Sequence, residues 1–274
     1  MGSGPPAPTP RSRFVELVEG ELDLAHAALL VAAEEYPQLV PEPYLRRLDL
    51  LAERVRDRLG DEEGPPLVLQ EIGRVLFMDE GFRGDVEAYY DPRNSYLNDV
   101  LDRRLGIPIT LSIVYLEVGW RLGLALEGVN FPGHFLVRYP GEALSLLVDP
   151  FQAGEIRFED QAQELLDRVY GGSVTLRPEY LRPAGRRDIV ARLLANLKGI
   201  HQNARDDRRM LAAVERLLIL RPDDAEEVRD RGMLLARVGR NDEAIADLER
   251  YLQTSPDAAD AARVRLLLTE LGRP

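Results

Sequence analysis

A chain of 274 residues with 45% hydrophobic content is long enough for one large domain or two modest ones, and its composition is that of an ordinary globular protein. Its 47 acidic against 35 basic residues leave a formal charge of −12, which repels phosphate backbones and anionic lipid, so neither nucleic acid nor a membrane is an expected partner. The absence of cysteine excludes disulfides, thiolate metal sites and thiol catalysis together. The opening MGSGPPAPTPRSRF has no apolar signal core, and no later run approaches the roughly 18 apolar residues that span a bilayer. A cytoplasmic protein with a disordered leader over residues 1–13 is expected.

The predicted elements then follow in chain order. FVELVEGELDLAHAALLVAAEEY and PEPYLRRLDLLAERVRDRLG carry apolar residues at helical spacing, the second opened by Pro41 and Pro43 and closed by Gly60. PPLVLQEIGRVLFMDEGF is a third helix, and DPRNSYLNDVLDRRLG a turn followed by a short one. IPITLSIVYLEVGWRLG is apolar almost all round, with Glu117 and Arg121 as an i,i+4 pair, which is the pattern of a helix buried at a domain centre. LALEGVNFP, HFLVRY and LSLLVDP are short, rich in β-formers and separated by Pro and Gly, so a small antiparallel sheet is expected. FEDQAQELLDRVYGG returns to helix, and VTLRPEYLRPAGRR reads as a boundary near Pro183, its Arg177, Arg182, Arg186 and Arg187 belonging to a solvated linker.

Past that boundary the sequence repeats itself. Aligning LAAVERLLILRPDD (211–224) with IADLERYLQTSPDA (245–258) matches Ala212 with Ala246, Leu218 with Leu252 and Pro222-Asp223 with Pro256-Asp257, a period of 34. In length, and in Gly232, Gly239, Ala244, Leu248 and Pro256, this segment resembles the tetratricopeptide family, although the large aromatic near the start of the first helix is missing. Helices from about residue 187 would make two units and a capping helix.

The residues with chemistry in them lie in the strands. If PGEA (140–143) is a four-residue hairpin loop, Tyr139 pairs with Leu144 and His134 stands opposite Asp149 on one face, within reach of an imidazole–carboxylate hydrogen bond. That is the geometry of a base and its orienting group, and equally of a satisfied polar contact in a sheet. A nucleophile would sit at the start of the buried helix, GIPITLS, where the helix dipole stabilises an anion. YYDPRNSYLND offers Tyr89, Tyr90, Arg93, Asn94 and Asn98 as cleft-lining groups, or a turn at Asp91-Pro92 with Asn94 or Ser95 as a helix cap. His26 and His201 are expected to be packing or surface residues, and neither a metal nor a cofactor is expected, there being no thiols and no phosphate-binding glycine motif.

GIPITLS, RLGL, PGHFLVR and VDPF, within NDVLDRRLGIPITLSIVYLEVGWRLGLALEGVNFPGHFLVRY and LLVDPFQAG, resemble the SirB-type bacterial proteins, in which a transglutaminase-like domain precedes tetratricopeptide repeats. The resemblance implies a Cys-His-Asp triad, with His134 and Asp149 at two of its positions and Pro108 where the family has its cysteine. Proline cannot be a nucleophile, but it suits the first position of a helix. Thr110 and Ser112 are the hydroxyls that could replace the thiol, with Ser112 one turn deeper on the same face. The expected fold is α+β: a transglutaminase-like domain over 14–183, with a helical N-terminal region and a small antiparallel sheet, then an all-α tetratricopeptide array over 184–274. The expected function is a pseudoenzyme: a regulatory module that binds a protein or peptide partner. A hydrolase or acyl-transfer enzyme using Ser112 or Thr110 with His134 and Asp149 is the alternative.

Overall fold

In the computed structural model, residues 8–60, 64–141 and 144–272 are described. The chain divides into two compact units, 1–193 and 194–274.

The first unit opens with α1 (Pro10–Glu19), whose N-terminus is capped by the Thr9 hydroxyl accepting from the Ser12 N–H. Residues 1–7 of the expected leader lie outside the described residues, whereas 10–13 are helical rather than a disordered tail. The single helix expected over 14–36 is two, because Gly20 ends α1 and Asp23 caps α2 (Leu24–Ala32). α3 (Pro41–Leu59) follows its proline and glycine signals. α4 (Pro65–Gly73) then widens into a π turn over Arg74–Asp79, closed by the Glu80 N–H on the Val75 carbonyl at 2.9 Å. Two short strands, β1 (Arg83–Gly84) and β2 (Leu105–Gly106), pair in parallel around a 3-10 turn (Pro92–Asn94) and α5 (Leu97–Arg103).

α6 (Pro108–Arg121) is buried from Pro108 to Gly119, as a helix apolar on all sides must be. Tyr115 is fully buried at its middle and donates to the Leu69 carbonyl at 2.7 Å. Glu117 pairs with Arg121 as its spacing predicts, and its other oxygen accepts from the Ala25 N–H at 2.9 Å, so a carboxylate of one buried helix caps the start of another.

β3 (Glu127–Val129), β4 (Leu136–Pro140), β5 (Ser145–Asp149), β6 (Glu155–Phe158) and β7 (Pro183–Ala184) form one antiparallel sheet in the order β6-β5-β4-β3-β7. Tyr139 pairs with Leu146 and Pro140 with Ser145, so the hairpin register differs by two residues from the expected Tyr139–Leu144. Residues 142 and 143 of that expected loop lie outside the described residues. A two-residue slip keeps every side chain on its own face. α7 (Ala162–Tyr170) covers part of the sheet, with Leu165 and Leu166 packed among Val129, Phe131, Leu136 and Leu147.

The boundary expected near Pro183 falls inside this sheet, because β7 pairs with β3 and Ile189 lies against Gly128. Nor are Arg186 and Arg187 linker residues. Arg187 donates to the Val18 carbonyl in the last turn of α1, and Arg186 donates to the Leu22 carbonyl and lies over the Trp120 ring.

α8 (Arg186–Asn203) runs across the division between the units. The second unit continues with α9 (Asp207–Leu220), α10 (Ala225–Arg237), α11 (Asn241–Thr254) and α12 (Ala261–Glu270). Its core joins Val214, Leu218, Val228, Leu235, Leu248 and Val264. At Gly232, a side chain would meet Leu248 Cγ at 2.8 Å, so the small residue of the repeat lets α10 and α11 cross closely.

Candidate functional site

The site is assembled from the start of α6, the turn before β4 and the end of β5. Pro108 is the first residue of α6, where its missing N–H leaves nothing unsatisfied. The Thr110 hydroxyl locks this start: it accepts from the Ile107 N–H at 3.0 Å and donates to the Asn94 carbonyl at 2.8 Å. Ser112, one turn on, donates to the Phe135 carbonyl at 3.3 Å. Both hydroxyls are completely buried, and no hydrogen bond among the described residues joins either to His134. Because Phe135 follows His134, the α6 face carrying positions 108 and 112 is the one turned toward the His134 segment.

His134 lies in a bend just before β4, where Gly133 adopts φ +68° and the His134 N–H reaches the Phe131 carbonyl at 2.9 Å. Asp149 ends β5. Its Oδ1 accepts from the backbone N–H groups of Phe151 at 3.0 Å and Gln152 at 3.2 Å, and both carboxylate oxygens lie 2.8 Å from His134 Nε2. The two residues are not directly opposed as the expected register had it, yet the preserved face brings them together diagonally. The carboxylate selects the tautomer with the proton on Nε2 and leaves Nδ1 as an acceptor, with no hydrogen bond among the described residues. With 14% of its side chain exposed against 4% for Asp149, the imidazole is the member of the pair that a ligand can reach.

One aromatic ring lies against the imidazole, and two more extend from that ring. The Phe151 ring meets it edge to face at 5.9 Å, Tyr89 meets Phe151 at 6.2 Å, and Tyr90 meets Tyr89 at 5.3 Å. Burial pushes the Tyr89 hydroxyl's pKa up. On another side, a Cβ at Gly133 would lie 3.0 Å from the Tyr170 hydroxyl and 2.9 Å from Val169. Tyr89, Tyr90, Val169 and Tyr170 are all exposed, so the ring chain that starts at Phe151 and the two side chains beside Gly133 both reach the surface.

A family model described as the transglutaminase-like superfamily matches residues 42–195, and one described as tetratricopeptide repeat matches 197–269. A UPF0162 protein of Xylella fastidiosa is 38% identical over 253 residues, 91% of this chain and 90% of the relative. A UPF0162 protein of Pseudomonas aeruginosa is 34% identical over 251 residues, 92% of each chain. The chain belongs to the UPF0162 family. F-box only protein 21 of Mus musculus shares a shorter segment, 45% identical over 84 residues, which is 31% of this chain and 13% of that protein. The UPF0162 architecture is thus a transglutaminase-like domain followed by tetratricopeptide repeats, the order expected from the motifs.

Within this UPF0162 chain the residues expected to line a cleft part company. Tyr89 and Tyr90 join the aromatic group beside His134. Arg93 instead forks onto Asp91, whose carboxyl it holds below the usual range. Asn94 is fully buried, donating to Asp85 and the Ala88 carbonyl and accepting from Arg103, so it braces the 85–94 turn. Asn98 is buried, its Oδ1 without a hydrogen-bond partner among the described residues. His201 is buried in α8, and His26 lies on α2 with a buried Nε2 that has no partner among the described residues. No group of three or more metal-ligating side chains occurs among the described residues, and no helix there is long and apolar enough to cross a membrane. The reading from sequence missed Phe151 and Tyr170. Phe151 stands in the VDPF motif two residues after Asp149, whereas Tyr170 carries no local signal beyond the Gly-Gly that ends its helix.

Proposed function

We propose that this chain is a protein-binding module in which a transglutaminase-like site, with Pro108 in the place of the thiol, serves as a recognition site. The observation that carries the proposal is the His134–Asp149 hydrogen bond, held by two backbone N–H groups and with the Phe151 ring against the imidazole, in a chain without cysteine. A His134 with Nδ1 free as an acceptor suits a peptide or side-chain amide, which brings an N–H donor and a flat face for Phe151 and Tyr89. The tetratricopeptide unit supports a regulatory role, since this repeat type presents helical surface to other proteins. Hydroxyl catalysis has less support, because Thr110 and Ser112 are buried and their protons are committed to backbone carbonyls.

Three measurements on the full chain test the reading. Incubation with glutamine-containing peptides is expected to release no ammonia, and turnover with Pro108 unchanged would sink the proposal. Pro108→Cys would be the chain's one thiol, so alkylation reports on that position alone. Its rate at about pH 6 is expected to exceed that of a free thiol by about tenfold or more and to fall when His134→Ala is added. A rate indifferent to His134 would show that position 108 does not face the histidine. Crosslinked affinity capture from a lysate of the source organism is expected to yield a partner that His134→Ala loses.

A further inference from the structure

The first two turns of α8, residues 186–193, belong to the first unit, and three contacts fix their direction. Arg186 lies over the ring of Trp120, in the last turn of α6. One turn on, Ile189 and Phe135 close on the same spot, since a Cβ at Gly128 would lie 2.9 Å from the first and 2.8 Å from the second. The Phe135 carbonyl in turn accepts from Ser112, in the second turn of α6. α8 therefore runs from the end of α6 back toward its start, where His134 stands. Arg192, three residues and about 4.5 Å beyond Ile189, is the next charged side chain on that path and lies on the same helical face.

Its charge is felt at the candidate site. Burial raises the pKa of the Tyr89 hydroxyl, and Arg192 is the cation that pulls it down. Tyr89 meets Phe151, and Phe151 stands against His134, so two ring contacts link that hydroxyl's ring to the imidazole. The Arg192 guanidinium itself is half-buried, and among the described residues it makes no hydrogen bond and no ion pair. The carboxylates around the site are committed elsewhere: Asp149 to His134 and two backbone N–H groups, Asp91 to Arg93, and Asp85 to Arg103. Asp188, one turn back on α8, turns toward the helix start, its Oδ2 3.6 Å from where a Cβ of Gly185 would lie, and the exposed Glu87 makes no ion pair with Arg192 among the described residues. A guanidinium partly withdrawn from water with no counter-charge is unfavourable, and its planar fork matches the two oxygens of a carboxylate.

We propose that Arg192 receives a carboxylate of the ligand held at His134, which makes the site selective for peptides with an acidic side chain or a free C-terminus beside the amide that His134 engages. This rests on the reading of the His134 site as a recognition site. The probes are two libraries of short random peptides selected on the full chain, one displayed with its C-terminus free and one with it fused to the carrier, the leading peptides then being synthesised for fluorescence anisotropy. Enrichment of Asp or Glu in both libraries assigns the carboxylate to a side chain, and enrichment confined to the free-ended library assigns it to the C-terminus. Binding is expected to weaken about tenfold or more in Arg192→Gln and in His134→Ala, and to be partly restored in Arg192→Lys, which keeps the charge without the fork. Converting the peptide's carboxylate to an amide is expected to weaken binding to the unaltered chain by a similar factor and binding to Arg192→Gln hardly at all, a coupling that a merely structural arginine would not show. Arg192→Lys carries the same comparison should Arg192→Gln lower the thermal midpoint. Leading peptides without a carboxylate, or a loss of affinity in His134→Ala but not in Arg192→Gln, would overturn the role of Arg192 and leave the recognition site standing. Binding indifferent to His134→Ala, or no enrichment in either library, would overturn both.

Discussion

Gly84 and Gly133 show how few atoms hold the candidate site. A Cβ at Gly84 would lie 2.5 Å from Phe151, the ring that stands against His134. Gly84→Ala is therefore expected to displace Phe151 and to destabilise the chain by about 1–3 kcal/mol, the usual effect of overpacking, which denaturant unfolding would read. Gly133 combines φ +68° with the Val169 and Tyr170 contacts, so Gly133→Ala is strained as well as crowded and is expected to shift the turn that delivers the imidazole. At this scale the chemistry of the site was legible: a lone His and Asp among strand formers, a proline at a helix start. Their relative placement was not. Alternation along a strand distinguishes one face from the other, and a slip of two residues changes neither, so the hydrophobic pattern could not separate Tyr139–Leu144 from Tyr139–Leu146. The aromatic neighbours were illegible for another reason: Tyr89 meets Phe151, and Tyr170 approaches Gly133, only through tertiary packing.

Elements were legible where a breaker marks them. Pro41, Pro65 and Pro108 open helices as expected, whereas the caps at Asp23 and Asp224, which accept from the first-turn N–H groups of α2 and α10, went unread, and the first of them divides the helix expected over 14–36. The buried Glu117 shows what such signals leave out, since its role as a cap for α2 joins residues 92 apart in the chain. Burial pushes its carboxyl's pKa above the ordinary value of 4.5, against the pull of Arg121. A carboxyl raised in this way binds its proton more readily in the folded state, so its favourable contribution is complete below 4.5 and is lost as pH rises through the raised value. Glu117→Gln keeps an acceptor for Ala25 and is expected to flatten that slope in urea unfolding across the acidic range. Glu117→Ala strands the Ala25 N–H and leaves Arg121 with Asp49 as its carboxylate partner, and is expected to destabilise by about 1–3 kcal/mol. In the second unit, Gly232→Val would drive a side chain into Leu248 and is expected to lower the thermal midpoint through overpacking of the α10–α11 crossing.

The division of the whole molecule tests whether composition marks a domain boundary. The run of Pro and Arg around 177–187 has the composition of a linker, yet its last residues complete the first unit. Pro183 and Ala184 supply β7, the edge that covers β3. Arg186 and Arg187 satisfy the carbonyls of Leu22 and Val18, and Ile189, Val190 and Leu193 are buried. A boundary is set by where buried contacts stop crossing, which local composition reports only indirectly. The consequence is a comparison of two fragments, one ending at Pro183 and one at Leu193. Truncating a single buried isoleucine costs about 2–5 kcal/mol, and each kcal/mol moves the midpoint of a unit this size by about 2–4 °C. The shorter fragment, which also loses an edge strand and two arginine contacts, is therefore expected to melt at least about 10 °C below the longer one in circular dichroism, or to fail to fold. Equal midpoints would mean that residues 184–193 contribute nothing to the sheet, and the boundary would return to Pro183.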